Sequence, residues 1–313
     1  DAASADTVPG RRRGQVNVLA GSFLTPGDLE ELKLIIESFG LHPVLLPDLS
    51  DSLDGHLGEE DFSPLTIGGA AVSELSGLGD AAATLVIGRS MNRAADELQR
   101  LTGVPDFRFD HLMGLEAVDG LVDTLQRISG EPVPSGLERQ RAQLQDAMLD
   151  CHFMLGMSRI AIAADPDLLA AFSHLLSGVG AETVAAVSPV NAPVLGEVAA
   201  ESVKIGDLED LEQIARENRA ELLIANSHGV ESAMRLDIPL LRAGFPQYDI
   251  LGGYQKTWTG YRGSRQTLFD LANIMLTLEK GELHPYRSIY GQKPEYREVS
   301  SHDAAEAVQA GAP

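Results

Sequence analysis

The stretch Arg139-Gln-Arg-Ala-Gln-Leu-Gln-Asp-Ala-Met-Leu-Asp-Cys-His-Phe153 runs, after a short turn, into Arg159-Ile-Ala-Ile-Ala-Ala164. The first segment reads as a long amphipathic helix free of glycine and proline, and the second as an apolar strand. A helix that feeds a fresh strand in mid-chain marks the end of one α/β unit and the start of another.

Working outward from this junction, the same alternation recurs on both sides. Upstream, Val16-Asn-Val-Leu-Ala20 is an apolar strand. Thr25 then offers an N-cap, Pro26 suits the first helical position, and Asp28 completes a capping box. Leu29, Leu32, Ile35, Ile36 and Phe39 repeat at helical spacing, Gly40 ends the helix, and Pro43–Leu46 forms the next strand. This strand–helix–strand unit implies parallel pairing through a right-handed crossover. Residues 48–70 form a turn-rich loop. Strands at 83–87 and 106–109 and helices near 91–101 and 115–128 complete the first unit, and Ser129-Gly-Glu-Pro-Val-Pro134 reads as a boundary.

Downstream, Asp165-Pro166 opens a helix over 168–176, followed by a strand at 183–187. After a Pro/Ala/Gly-rich loop, a short strand at 203–205 leads to a helix capped by Asp207 with Asp210 closing its box. Strands at 221–225 and 239–241 flank a short helix at 230–236, and a last helix spans 264–279. The strands are continuous apolar runs, as in parallel sheets covered on both faces. The fold class expected is therefore α/β, with two Rossmann-like domains of parallel sheets covered by helices. The expected organisation is a flexible leader over 1–13, domains over 14–136 and 137–290, and a partly disordered tail over 291–313. The Arg11-Arg12-Arg13 cluster is assigned to the solvated leader.

Composition bounds the function classes. With 46 acidic against 24 basic residues the formal charge is −22, which disfavours nucleic acid and anionic membrane as partners. No apolar run approaches the ~20 residues of a membrane span, and no signal peptide is visible, so a cytoplasmic location is expected. The one cysteine, Cys151, excludes an internal disulfide and fits a reducing compartment. It also excludes an iron–sulfur cluster held by this chain's thiols, which takes about four ligands. Cys151 and His152 are neighbours on a helix and diverge by about 100°, so burial of Cys151 as a small hydrophobe is the expected role.

In open α/β sheets ligands bind beyond the carboxyl ends of the strands. The polar residues there are Ser22, Thr25, Asp48, Ser50, Arg89, Ser90, Asp165, Asn226-Ser227-His228 and Arg242. The candidate cofactor-binding residues are Asn226, Ser227, His228 and Arg242. For His228 two readings stand, a cofactor donor or metal ligand and a loop histidine satisfied by backbone. For Arg242 they are an anion clamp and a structural ion pair. His56 reads either as a ligand or as a solvated loop residue. Tyr254, Trp258 and Tyr261 read as interface anchors or as a surface cover. Gly21-Ser-Phe-Leu-Thr-Pro-Gly27 after the first strand is not a dinucleotide fingerprint, and no Walker A motif is present. No catalytic residue and no metal ligand is assigned.

Several longer runs carry more information than these single residues. Leu24-Thr-Pro-Gly-Asp-Leu-Glu30, Pro47-Asp-Leu-Ser-Asp-Ser-Leu-Asp-Gly-His56, Arg139–Leu155, Gly206-Asp-Leu-Glu-Asp-Leu-Glu212 and Pro239–Asp249 closely resemble the NifN family. That family is the N subunit of the scaffold for the nitrogenase iron–molybdenum cofactor, within the nitrogenase component 1 superfamily. The likeness runs from about Gln15 to Pro294. It implies the C-terminal two of the three domains of that fold, while the first domain and its cluster-ligating cysteine have no counterpart in these residues. It implies pairing with the E subunit as an α2β2 heterotetramer and docking of the nitrogenase iron protein. An iron–sulfur cluster and a cofactor precursor belong to the complex with the E subunit, and none is held by this chain alone. The function expected is an assembly scaffold, not an enzyme. The alternatives are the molybdenum–iron protein β subunit and an unrelated two-domain nucleotide-sugar enzyme.

Overall fold

A computed structural model describes residues 7–51 and 69–279. His56, most of the turn-rich loop, the start of the leader and the tail lie outside the described residues. Both sheets belong to one compact unit that runs through Met275. A second unit begins at Leu276, and of it only the last turn of the final helix is described.

The elements follow in the order β1 (Arg12–Ala20), α1 (Pro26–Glu37), β2 (His42–Leu46), α2 (Val72–Leu75), β3 (Ala81–Ile87), α3 (Asn92–Thr102), β4 (Asp106–Phe109), α4 (Leu115–Ser129) and α5 (Ser135–Leu155). They continue as β5 (Arg159–Ala163), α6 (Pro166–Ser177), β6 (Glu182–Ser188), β7 (Lys204–Ile205), α7 (Leu208–Glu217), β8 (Leu222–Ala225), α8 (Gly229–Leu236), β9 (Leu240–Arg242) and α9 (Gly260–Glu279). The expected α/β alternation is present. All the paired strands named here run parallel, in two sheets ordered β2-β1-β3-β4 and β7-β6-β5-β8-β9. The helix that decides the fold, α5, stands between the two sheets in sequence.

Local chemistry explains the helix starts. The Thr25 hydroxyl accepts from the Asp28 amide while the Asp28 carboxylate accepts from the Thr25 amide, and Asp207 and Asp210 do the same for α7. One reading needs correction. Arg12 and Arg13 are solvent-exposed, as read, but they belong to β1 rather than to a flexible leader, because the strand begins four residues before its apolar run. Asp80 draws the basic cluster in, lying 3.4 Å from Arg11 and 3.9 Å from Arg12.

One apolar cluster spans both sheets. It joins Val16, Val18 and Leu85 of the first to Ile160, Ile162 and Ile224 of the second through α1, α4, α5, α6 and α9. The opposite face of the first sheet is covered around Leu19, Val86 and Ala95 of α3. That of the second is covered around Leu211, Ala215 and Ala233 of α7 and α8. Trp258 and Tyr261 are only 1% and 2% exposed within the shared core, and Trp258 meets Phe172 edge-on at 5.3 Å. The expectation that they anchor an interface is thereby corrected: their aromatic area is already spent on this chain's own core. Tyr254 stacks on Phe245 at 5.5 Å. Cys151 is buried, as expected.

Candidate functional site

Each sheet has one place where strand order reverses, between β1 and β3 in the first and between β5 and β8 in the second. A crevice beyond the carboxyl ends at such a point is where doubly wound sheets take ligands. Here this chain's own groups occupy the first.

At the first reversal the Gly21 amide donates to the Ile87 carbonyl at 2.9 Å, which ties the two strand ends together. Buried Phe23 and the Asp167 carboxylate at the start of α6 fill the space beyond. Asp167 accepts from the amides of Arg89 at 3.2 Å and Ser90 at 3.1 Å. Gly88 allows this approach: its φ is +95°, and a Cβ there would stand 2.8 Å from both Asp167 Oδ2 and Phe23 Cε1. The Arg89 guanidinium turns aside to Asp110 at 2.9 Å. Replacing Asp167 by alanine strips two amides of their acceptor and is expected to cost about 2–3 kcal/mol, read by denaturant unfolding.

The neighbouring N-terminus of α1 is likewise filled. The Thr25 hydroxyl donates to the Lys256 carbonyl at 2.6 Å, and Asp28 Oδ1 accepts from the amides of Trp258 at 2.6 Å and Thr259 at 2.8 Å. Burial pushes the Asp28 carboxyl up from its ordinary value, and these amides, with that of Thr25, pull against the shift. Three residues on, Glu31 pairs with Arg262. Asp48 pairs with Lys33 at 2.6 Å, and Asp165 caps α6 by accepting from the Asp167 amide.

Beside the second reversal, at the carboxyl ends of β8 and β9, Ser227 and Arg242 meet on one acid that the sequence did not single out, Asp249, and Asn226 bonds the same loop. Arg242 donates to Asp249 Oδ2 through Nε at 2.8 Å and Nη2 at 2.7 Å, and Ser227 donates to Oδ1 at 2.5 Å. The Arg242 and Ser227 hydrogen bonds hold the Asp249 carboxyl below the usual carboxylate range. Asn226 donates to the Phe245 carbonyl at 2.7 Å and accepts from the His228 amide at 3.1 Å. The structure thus favours the ion-pair reading of Arg242. Asn226, Ser227 and Arg242 fasten the 243–251 loop over the ends of β8 and β9. The His228 ring instead lies at the surface against Tyr248, whose hydroxyl is 3.4 Å from Nδ1. Removing the acid in Asp249→Ala is expected to raise amide exchange across 243–251 while leaving the sheet amides protected, as read by hydrogen–deuterium exchange.

A groove of about 940 Å³ opens beside the carboxyl end of β4, lined by Asp110, His111, Met113, Glu116, Met148 and His174 among others. His111 and His174 were missed in the sequence. Asp110 and His111 follow a strand and belonged with the other carboxyl-end residues; His174, inside a helix, carries no such signal.

The nitrogenase component 1 type oxidoreductase family matches residues 2–276. The chain belongs to the nitrogenase component 1 family. Within the family it is 47% identical over 266 residues to the nitrogenase iron–molybdenum cofactor biosynthesis protein NifN of Bradyrhizobium diazoefficiens, covering 85% of this chain and 56% of that protein. It is 43% identical over 287 residues to NifN of Klebsiella pneumoniae, covering 92% of this chain and 62% of that protein. A solved structure titled nitrogenase Cp1 at pH 6.5 superposes with a TM-score of 0.81 at 28% identity, over 88% of this chain and 63% of that one. The chain therefore spans 56 to 62% of the length of these two NifN relatives. This membership displaces the reading as an unrelated nucleotide-sugar enzyme.

Clusters of the kind component 1 proteins carry need several thiolate or imidazole donors together. Among the described residues no group of three or more His, Cys, Asp or Glu side chains converges to hold a metal, and Cys151 lies 3% exposed in the core. The described residues do not fit a resident cluster. Among the described residues no helix is long and apolar enough to cross a membrane.

Proposed function

We propose that this chain is part of a NifN-type scaffold subunit that serves in assembly of the nitrogenase iron–molybdenum cofactor and carries no catalytic residue of its own. The observation that carries this reading is the 47% identity to NifN across 85% of the chain. The first reversal point supports it, because Phe23 and Asp167 fill the place where a doubly wound sheet would take a ligand. Residues 14–136 and 137–290 act as two Rossmann-like domains. The partner is the E subunit, in an α2β2 heterotetramer, with the iron–sulfur precursor as cargo and the nitrogenase iron protein docking to it in the cytoplasm. Asn226, Ser227, His228 and Arg242 serve the site as positioning residues for the 243–251 loop rather than as donors to the cargo.

Co-expression with the E subunit, followed by pull-down and iron analysis, tests this. The expected result is a stable complex that carries iron. A chain that never associates under these conditions contradicts the reading. The other reading, a nitrogenase component 1 subunit proper, draws on the TM-score of 0.81 to nitrogenase Cp1. Acetylene reduction by the purified complex with iron protein and ATP separates the two, and the scaffold reading expects none above background.

A further inference from the structure

Two imidazoles meet edge to edge at the wall of the β4 groove. His111 sits in the turn after β4, in the first half of the chain, and His174 in α6, in the second. His111 Nε2 lies 2.7 Å from His174 Nδ1, and His174 Nε2 lies 2.6 Å from the Glu197 carbonyl oxygen. The Met113 amide donates to His111 Nδ1 at 3.3 Å.

These partners settle both tautomers. A carbonyl only accepts, so His174 Nε2 carries a proton and its Nδ1 is a bare acceptor. The Met113 amide only donates, so His111 Nδ1 is bare and Nε2 carries the proton that reaches His174. The chain Met113 N–H, His111, His174, Glu197 carbonyl is complete only with both rings neutral. A proton added at His174 Nδ1 faces the His111 Nε2 proton across 2.7 Å. A proton added at His111 Nδ1 faces the Met113 amide. In either case two donors oppose each other.

We propose that His111 and His174 form a proton-operated latch, which joins the β4–α4 turn to α6 at neutral pH and lets go on acidification, loosening the groove wall between them. The charges around the pair act in both directions. Asp110 beside His111 favours its protonation. Asp110 is partly neutralised by Arg89, which also faces the Glu197 carboxylate at 3.5 Å. Arg108, Glu116 and Asp119 line the groove farther along, with Asp119 held by Arg141 and Tyr261. Burial outweighs Asp110 at His111, which is 8% exposed, and with the neighbouring His174 lowers its pKa to about 4.

The sign follows from linkage. An unfolded histidine takes up a proton below about pH 6.5, whereas folded His111 stays neutral to about 4. The latch's contribution is therefore complete above about 6.5 and declines as pH falls from there toward 4.

Nitrogen-15 imidazole NMR on the full chain between pH 8 and 4 tests this, together with hydrogen–deuterium exchange corrected for the intrinsic rate. The expected spectrum has His111 as the Nε2–H tautomer with a midpoint below 5. Corrected exchange of the Met113 amide, and of the amides at 195–199 around the Glu197 carbonyl that His174 holds, is expected to rise at least about tenfold over the same transition. In His111→Phe, which keeps a ring but no ionisable nitrogen, the acid-dependent rise at residues 195–199 is expected to vanish. A His111 midpoint between 6 and 7, or an undiminished rise in that variant, overturns the proposal. If the variant fails to fold, the wild-type midpoint and its coincidence with Met113 exchange decide alone.

Discussion

Asp28→Ala is expected to destabilise the chain by about 3–5 kcal/mol. The carboxylate is 1% exposed and accepts from the amides of Thr25, Trp258 and Thr259. Removing it orphans three buried donors, and each unsatisfied amide costs about 1–3 kcal/mol before relaxation. Some of that cost returns if water enters, which is why the expected total lies below the simple sum. Asp28→Asn keeps one accepting oxygen and is expected to lose roughly half as much. Urea unfolding of the two variants against the parent checks both the size and the order.

Gly27→Ala is expected to destabilise by about 2–3 kcal/mol, although helix propensity alone assigns alanine a gain of about 1 kcal/mol over glycine. The residue sits in the first turn of α1. A Cβ there would lie 2.4 Å from the Gln255 carbonyl oxygen and 2.8 Å from its carbon. Both opposing groups are backbone, and the Thr25 hydroxyl bond to the Lys256 carbonyl holds the two segments together. No rotamer change relieves the contact, so the steric cost outweighs the propensity gain. A stabilised Gly27→Ala chain would show that α1 and the 255–259 segment do not close on each other as described. Because Gly27 and Asp28 serve the same junction, the double substitution is expected to cost less than the two single effects added.

What the sequence discloses and what it hides divide along contact distance. The capping boxes at Thr25/Asp28 and Asp207/Asp210 are local, spanning three residues, and the structure has both. The strands are legible because parallel, doubly covered strands must be apolar throughout. Asp28 is different: once its capping role is satisfied locally, nothing in the sequence shows that its other oxygen serves amides 230 and 231 residues away. Trp258 and Tyr261 stood out as aromatic residues in an aromatic-poor chain, but composition does not tell an interface from a core. Asn226, Ser227 and Arg242 were found because they follow strands. The acid that Ser227 and Arg242 share, Asp249, was not, since the loop that returns it to them has no periodicity to read. The His111–His174 pair spans 63 residues and joins two units that the sequence treats as separate.

The central claim is that this polypeptide helps to build a metal cofactor and does not itself transform a substrate. The direct measurement is iron–molybdenum cofactor content in a nitrogen-fixing host whose own NifN-type subunit is deleted and replaced by the protein bearing this chain. Extracts are assayed by their ability to activate cofactor-free nitrogenase. The account predicts that cofactor returns and that the purified complex shows no acetylene reduction of its own. Acetylene reduction by the purified complex with iron protein and ATP, in a host whose cofactor content is not restored, would contradict it.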